Sequence, residues 1–244
     1  ALRLCMVLLV ADFHHSRKVL ATGCTTVLHW RLAGISLTLI LLMTDHQHFI
    51  HHKPFGYLCQ FVCELAKKKL VGSLYPFPEG TMSIGRLDEH SEGLLLLTTD
   101  GKVSEFIRSR KIEKEYYAQV DGIITDEAIE KLQQGVEIGL FSEKYTTLPC
   151  KACRLEHDPG FAPRTKKIRD DRHGPTTWVS ISVTEGKYRQ VRKMTAAAGF
   201  PTLRLVRVRI GNIHLGDMAP GETRAVHQFA VPGIDEVNAI ESVL

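Results

Sequence analysis

The apolar positions fall into short blocks whose period changes along the chain. Leu94 to Leu97 are four consecutive leucines, preceded by Ile84-Gly-Arg-Leu-Asp88 and followed by Asp100-Gly101. A run of this length between turn residues predicts a strand buried on both faces, with a turn at Asp100-Gly101. Lys53-Pro-Phe-Gly-Tyr57, upstream, reads as a strand running into a turn. Val103, Phe106, Ile107 and Arg110 follow a helical spacing, whereas Glu115 to Asp121 alternates and puts Tyr116, Ala118 and Val120 on one face of a strand. Thr125 is placed to N-cap a helix over TDEAIEKLQQG, with Gly135 as its C′ residue. Trp178 to Val183 alternates again, with Val179, Ile181 and Val183 inward. Val191, Met194 and Ala198 share one helix face, Arg189, Arg192 and Lys193 take others, and Gly199 with Pro201 stops that helix. A closing strand, LRLVRVRIGNIHL, carries Arg204, Arg207 and Arg209. Strands scattered among helices without regular strand-helix-strand repeats predict an α+β fold with a largely antiparallel sheet.

The first 46 residues stand apart. They hold two apolar runs, CMVLLV and ISLTLILLM, and only Asp12 and Asp45 as acids. Leu32 to Met43 is 12 residues, short of the ~18–20 needed to span a bilayer. The segment reads equally as an organelle transit segment or as a buried N-terminal strand pair. HQHFIHH follows, and on a strand His46, His48 and His52 would share a face. A metal site there is one reading; exposed strand-edge histidines are the expectation.

Charge changes the picture through its distribution. The net charge is only +4, but Lys144 to Arg209 carries fifteen Lys or Arg against five Asp or Glu. The remainder holds 16 basic and 22 acidic residues. This asymmetry suggests a half that faces a polyanion, or a solvated charged surface. The six cysteines, Cys5, Cys24, Cys59, Cys63, Cys150 and Cys153, are too sparse for a disulfide framework, which suggests a reducing compartment. Cys150-Lys-Ala-Cys153 has zinc-like spacing but no second pair nearby, and no metal site is expected.

No G-x-S-x-G elbow, Walker loop, H-E-x-x-H or strand-linked G-x-G-x-x-G occurs. What remains is Asp88 in its Gly-Arg-Leu-Asp turn, Tyr116 and a cationic helix. Asp88 is either a solvated turn residue or a carboxylate held at the mouth of a cleft. In the second case a guanidinium from Arg86 or Arg192 would keep it ionised, and Tyr116 could stack on a base.

GRLDEHSEGLLLLTTDG, with KPFG before it, KEYYAQVDG after it, then EGKYRQVRKM and AGFPTLRLVRVRIG, resembles the RsuA/RluE-type ribosomal RNA pseudouridine synthases. The motifs stand in the family's order from about Phe49 to about Val226. The resemblance implies a central, mainly antiparallel sheet with flanking helices and a cleft across it. It divides the chain into an N-terminal extension (1–46), a catalytic domain (47–230) and a C-terminal tail (231–244). It further implies Asp88 as the nucleophile, Tyr116 as the active-site tyrosine and Arg192 as the basic partner of the aspartate. Val191 would lie against the pyrimidine, and Arg86, Lys187 and Arg189 would contact or support substrate.

The implied reaction converts a uridine of ribosomal RNA, in the large subunit, to pseudouridine. It breaks the N1–C1′ bond, rotates the base and rejoins it through C5, with no redox change and no hydrolysis, so no cofactor is expected. The base must be everted from its stack, and basic residues from Lys166 to Arg209 would neutralise phosphates. A monomer with no obligatory protein partner and no membrane association is expected, cytoplasmic or, if the N-terminal segment is a transit peptide, in an organelle matrix. The competing readings are a catalytically silent RNA-binding module and the same chemistry on another structured RNA.

Overall fold

The structure is a computed structural model. It describes residues 46–62, 67–109, 112–168, 171–231 and 233, and the backbone of three strands nearer the N-terminus. CMVLLV, Cys5, Cys24, Asp12, Asp45, Cys63, Arg110 and the tail from 234 onward lie outside the described residues.

Two compact units are present, 1–45 and 46–244. The first contains β1 (Val19–Ala21), β2 (Thr25–Leu32) and β3 (Ile35–Leu42), paired antiparallel in that order.

The second unit starts with β4 (His48–Lys53), then β5 (Tyr57–Leu58), β6 (Lys69–Leu70) and β7 (Met82–Ile84). The leucine run forms β8 (Glu92–Thr98), buried at every position, and leads into α1 (Gly101–Ser109). Then come β9 (Lys114–Asp121), α2 (Asp126–Gln134), and a hairpin of β10 (Glu137–Leu140) and β11 (Glu143–Thr146). β12 (Lys151–Arg154), β13 (Thr176–Val183), α3 (Gln190–Ala197), β14 (Thr202–Ile210), β15 (Ile213–His214) and β16 (Thr223–Val226) complete it.

The central sheet runs β12-β13-β9-β14-β8-β4-β16, with β15 on β14 and β7 on β8. The β14–β8 pair is parallel and the other neighbours are antiparallel, in agreement with the α+β expectation. One core cluster gathers Val120, Val179, Ile181, Met194 and Leu132, and another gathers Leu94, Leu96, Val206 and Phe229. The Thr125 cap forms as read from the sequence, its side chain accepting from Ala128 N at 3.3 Å.

Two expectations change. Asp100 does not close a turn. It is buried and its Oδ1 accepts from Lys102 N (2.7 Å) and Val103 N (3.2 Å), so it caps α1. Of the histidines, His46 is exposed as expected, but His51 and His52 are not strand-edge surface groups. β4 starts only at His48, leaving His46 before it, and β16 covers the edge that β4 would otherwise expose. His51 and His52 are buried, bonded through Nδ1 to Thr223 Oγ1 (2.8 Å) and Met218 O (2.7 Å). Burial pulls the His51 pKa down to about 4, so the ring is neutral near pH 7. On β13, Val179, Ile181 and Val183 are buried as read; Trp178, Ser180 and Ser182 on the other face are buried too, and Phe161 packs edge-on to Trp178.

Gly93 lets β8 and β14 approach. It has φ +101°, and a Cβ there would sit 2.3 Å from Arg207 O and 2.7 Å from Arg207 N. Only a residue without a side chain satisfies both demands. Gly93→Ala is expected to lower unfolding free energy by more than about 2 kcal/mol, read by chemical denaturation. An unchanged midpoint would mean the two strands separate without penalty.

Candidate active site

Two loops and the sheet between them build a cleft of about 260 Å³. The first loop joins β7 to β8. Gly85 turns the chain with φ +71°, and Leu87 is buried, its backbone N and O both within reach of Cys59 Sγ (3.2 and 3.4 Å). Anchoring Leu87 leaves the next side chain, Asp88, on the cleft lining. Ser91 N closes the turn onto Asp88 O at 3.0 Å.

Lys53 holds this loop from inside. It is fully buried, and its Nζ donates to Ser91 O (2.7 Å), Pro54 O (3.1 Å) and Glu89 O (3.3 Å). Three carbonyls solvate one buried ammonium, which is how such a charge is tolerated in the absence of water. Phe55 adds packing: His90 stacks on its ring at 5.3 Å and the Arg164 guanidinium lies 4.5 Å from its centroid.

The second loop joins β13 to α3. Glu185 braces it, accepting from Leu148 N (2.9 Å), Gln190 Nε2 (2.8 Å) and the Tyr145 hydroxyl. Burial opposes ionisation of Glu185, yet these bonds together hold its pKa below the ordinary carboxylate value. Arg189 enters the helix in the left-handed region, φ 52° and ψ 34°, uncommon for a residue with a side chain.

From this helix two guanidiniums reach Asp88. Arg189 Nη1 lies 3.8 Å and Arg192 Nε 3.9 Å from Asp88 Oδ2, both beyond hydrogen-bond length. The Asp88 side chain is 24% exposed, so it is sheltered and still accessible from the cleft. Arg192 is more enclosed, 11% exposed, and donates from Nη2 to His90 O (2.8 Å) and from Nη1 to Thr202 O (3.3 Å). Burial, then the charge of Arg189, lowers its pKa, while Asp88 acts the other way. A guanidinium stays protonated through such a shift.

Tyr116 on β9 and Leu205 and Arg207 on β14 supply the floor, and Val191 from α3 lines the cleft with them. Tyr116 pairs directly with Arg207 across the two strands, so both side chains take the same face. Thus Asp88, Tyr116, Arg86, Lys187, Arg189 and Val191, all singled out from the sequence, meet at one cleft. Arg192 is outside the lining and approaches Asp88 from within the protein.

Residues 47–197 match the family model described as RNA pseudouridylate synthase. The chain belongs to that family. It is 40% identical over 186 residues to the ribosomal large subunit pseudouridine synthase E of Vibrio parahaemolyticus, covering 75% of each chain. It is 38% identical over 182 residues to the protein of the same name from Xanthomonas campestris pv. campestris, covering 74% of this chain and 95% of the relative. A crystal structure titled pseudouridylate synthase aligns with TM-score 0.60 and 27% identity over 77% of this chain and 73% of that one. The fold and the family inferred from the sequence motifs are therefore both supported.

The expected phosphate surface needs correction. Arg204 is buried against Glu92 (2.7 Å), and Arg209 pairs with Glu113 (2.5 Å) and Glu115 (2.8 Å). Arg207 is buried and donates from Nε to Leu94 O at 2.7 Å. Among the described residues its Nη2 has no partner. These three arginines serve the sheet and the cleft floor, and none reaches outward to a backbone of phosphates. Lys53 and Arg207 are the site residues that sequence reasoning missed. The motif KPFG marked Lys53 as a turn signal only, and its carbonyl partners at Glu89 and Ser91 lie far along the chain.

Burial lowers the Lys53 pKa from 10.5 to about 8, against nearby Cys59, Glu92 and Asp88, which favour the charged form. The folded chain releases this proton before the unfolded chain does, so the Lys53 contribution to stability rises between about pH 8 and 10.5. The unfolding free energy of wild type minus that of Lys53→Met is expected to grow across this window in denaturant titrations. A difference flat with pH would show that the ammonium is not desolvated.

Proposed function

We propose that this chain isomerises a specific uridine of large-subunit ribosomal RNA to pseudouridine, acting as a monomer and without a cofactor. The observation that carries this reading is Asp88, held between Arg189 and Arg192 without a hydrogen bond to either, at a cleft shared with Tyr116 and Val191. The names of the relatives from Vibrio and Xanthomonas support the choice of RNA. The cleft volume of about 260 Å³ falls just under the roughly 300–1,000 Å³ typical of small-ligand pockets. That suits one everted base better than a length of backbone.

In this reading the target uridine leaves its stack at a cost of a few kcal/mol. Tyr116 stacks on the uracil, Val191 closes the other side, and the buried Arg207 lies beneath them in the floor. The Asp88 carboxylate then acts on the nucleotide, by attack or by removing a proton. Both roles need a carboxylate whose lone pairs are not already occupied. Arg192 is a positioning residue that fixes Asp88, and Arg189 shares that task while lining the cleft. Arg86 and Lys187 stand at the rim, where the RNA backbone enters.

The test is incubation with unmodified ribosomal RNA followed by mapping of new pseudouridines. One new site in large-subunit RNA is expected. Binding without any new site would support the silent module, and a site in another RNA would move the substrate. Asp88→Asn is expected to lower turnover by roughly 10³-fold or more while RNA affinity stays within a few-fold. Retained turnover would remove Asp88 from the chemistry. Tyr116→Phe is expected to cost less than Tyr116→Ala if stacking is the main contribution. Equal losses would assign the role to the hydroxyl.

A further inference from the structure

The hairpin of β10 and β11 carries an aromatic ring where turn geometry least favours one. Leu140 pairs with Glu143, leaving Phe141 and Ser142 as a two-residue loop. Such loops take positive φ at their central residues and favour Asn, Asp or Gly. Phe141 adopts φ 55° and is 91% exposed. A bulky side chain in the left-handed region is strained, and this ring recovers little of that by burial.

The ring is not isolated. It stacks on Tyr188 with centroids 6.0 Å apart and planes 21° from parallel, and Tyr188 is itself 58% exposed. Lys193 lies 5.2 Å from the Tyr188 centroid and donates to Gly139 O, which ties α3 to the hairpin. Tyr188 stands between Lys187 and Arg189, both on the cleft lining. The two rings therefore extend the rim of the cleft outward as an aromatic surface flanked by cations. Glu143 is the acidic neighbour in the loop's own hairpin.

We propose that Phe141 and Tyr188 form a stacking platform for an unpaired base of the RNA beside the everted uridine, with Lys187 and Lys193 against the adjoining phosphates. This deepens the reading of the cleft as an RNA-modifying site, since it names the form of RNA that enters: single-stranded at the flank. Every nucleobase offers a π face, so the platform adds affinity with little sequence preference, and the cations supply the salt-dependent part. An apolar protein partner is disfavoured by the lysines and arginine that border so small a patch.

The probe is a short single-stranded oligouridylate carrying one 2-aminopurine, titrated with full-length protein at low salt. Wild type is expected to quench the 2-aminopurine on binding. Phe141→Ala is expected to weaken binding about 5- to 150-fold, the range for loss of one base stack, and to abolish quenching. Phe141→Tyr should retain both. Phe141→Gly separates the ring from the fold: glycine accepts the positive φ, so its melting temperature should hold or rise while its affinity falls as in the alanine variant.

Alanine and glycine variants that bind within twofold of wild type would overturn the platform, as would quenching that survives both. Pseudouridine formation is scored separately on unmodified ribosomal RNA. Phe141-dependent quenching with no pseudouridine formed would sink the enzymatic reading and support the platform. Normal isomerisation with unaltered affinity in Phe141→Ala would do the reverse.

Discussion

Asp88 is flanked by two guanidiniums that come close and stop short. At 3.8 and 3.9 Å neither Arg189 nor Arg192 hydrogen-bonds to it. Opposite charges near 4 Å attract by about 4 kcal/mol at an effective dielectric of 20, less where water screens them. Neither guanidinium takes up the lone pairs of the carboxylate oxygens. A bidentate pair would have used those lone pairs. The separation holds because Arg192 is bonded elsewhere, to His90 O and Thr202 O, and does not need Asp88 to fix its position. The carboxylate therefore sits in a field set by the backbone.

That backbone is held by charges buried in the sheet. Lys53 collects the carbonyls of Glu89 and Ser91, and one residue on, Glu92 pairs with Arg204 at 2.7 Å with both side chains nearly inaccessible. Arg204 also donates to Ala162 O at 2.9 Å, drawing the segment that shelters Trp178 onto the sheet. A buried pair adds little net stability over an apolar one, but losing one member costs about 3–5 kcal/mol. Such groups penalise displacement more than they reward formation, which suits a loop that must keep one conformation. Gly93 stands next in sequence, and its close approach to Arg207 locks β8 against β14 at the level of the loop.

The sequence was most readable where the signal was local. The leucine strand, the Tyr116 face, the Thr125 cap and the α3 stripe each follow from spacing within ten residues, and each appears in the structure. Position along one strand could not reveal what covers it. Position along β4 alone places His51 and His52 at an open edge, because β16, which buries them, lies some 170 residues away in sequence. The same holds for Arg204, Arg207 and Arg209, whose partners Glu92, Leu94 and Glu115 are on other strands. Asp100 was misread for a different cause: Asp-Gly serves equally as a turn and as a helix start, and the hydrogen bonds to Lys102 N and Val103 N decide it. The left-handed backbone of Arg189 leaves no trace in the sequence at all.

Moving those arginines inward changes the electrostatic argument for RNA. The excess of ten positive charges between Lys144 and Arg209 overstates what an RNA backbone meets. Arg204 and Arg209 are neutralised by carboxylates, and Arg207 lies beneath the cleft. Each phosphate contact removed lowers the slope of log affinity against log salt by about 0.7–0.9. A modest outward charge cannot by itself hold a structured RNA with one uridine everted. In the proposed reading the rest comes from contacts that saturate only when the base is out of its stack: the Tyr116 and Val191 walls and the buried cation below them. On that reading charge brings the RNA to the rim, and shape at the cleft decides which nucleotide stays.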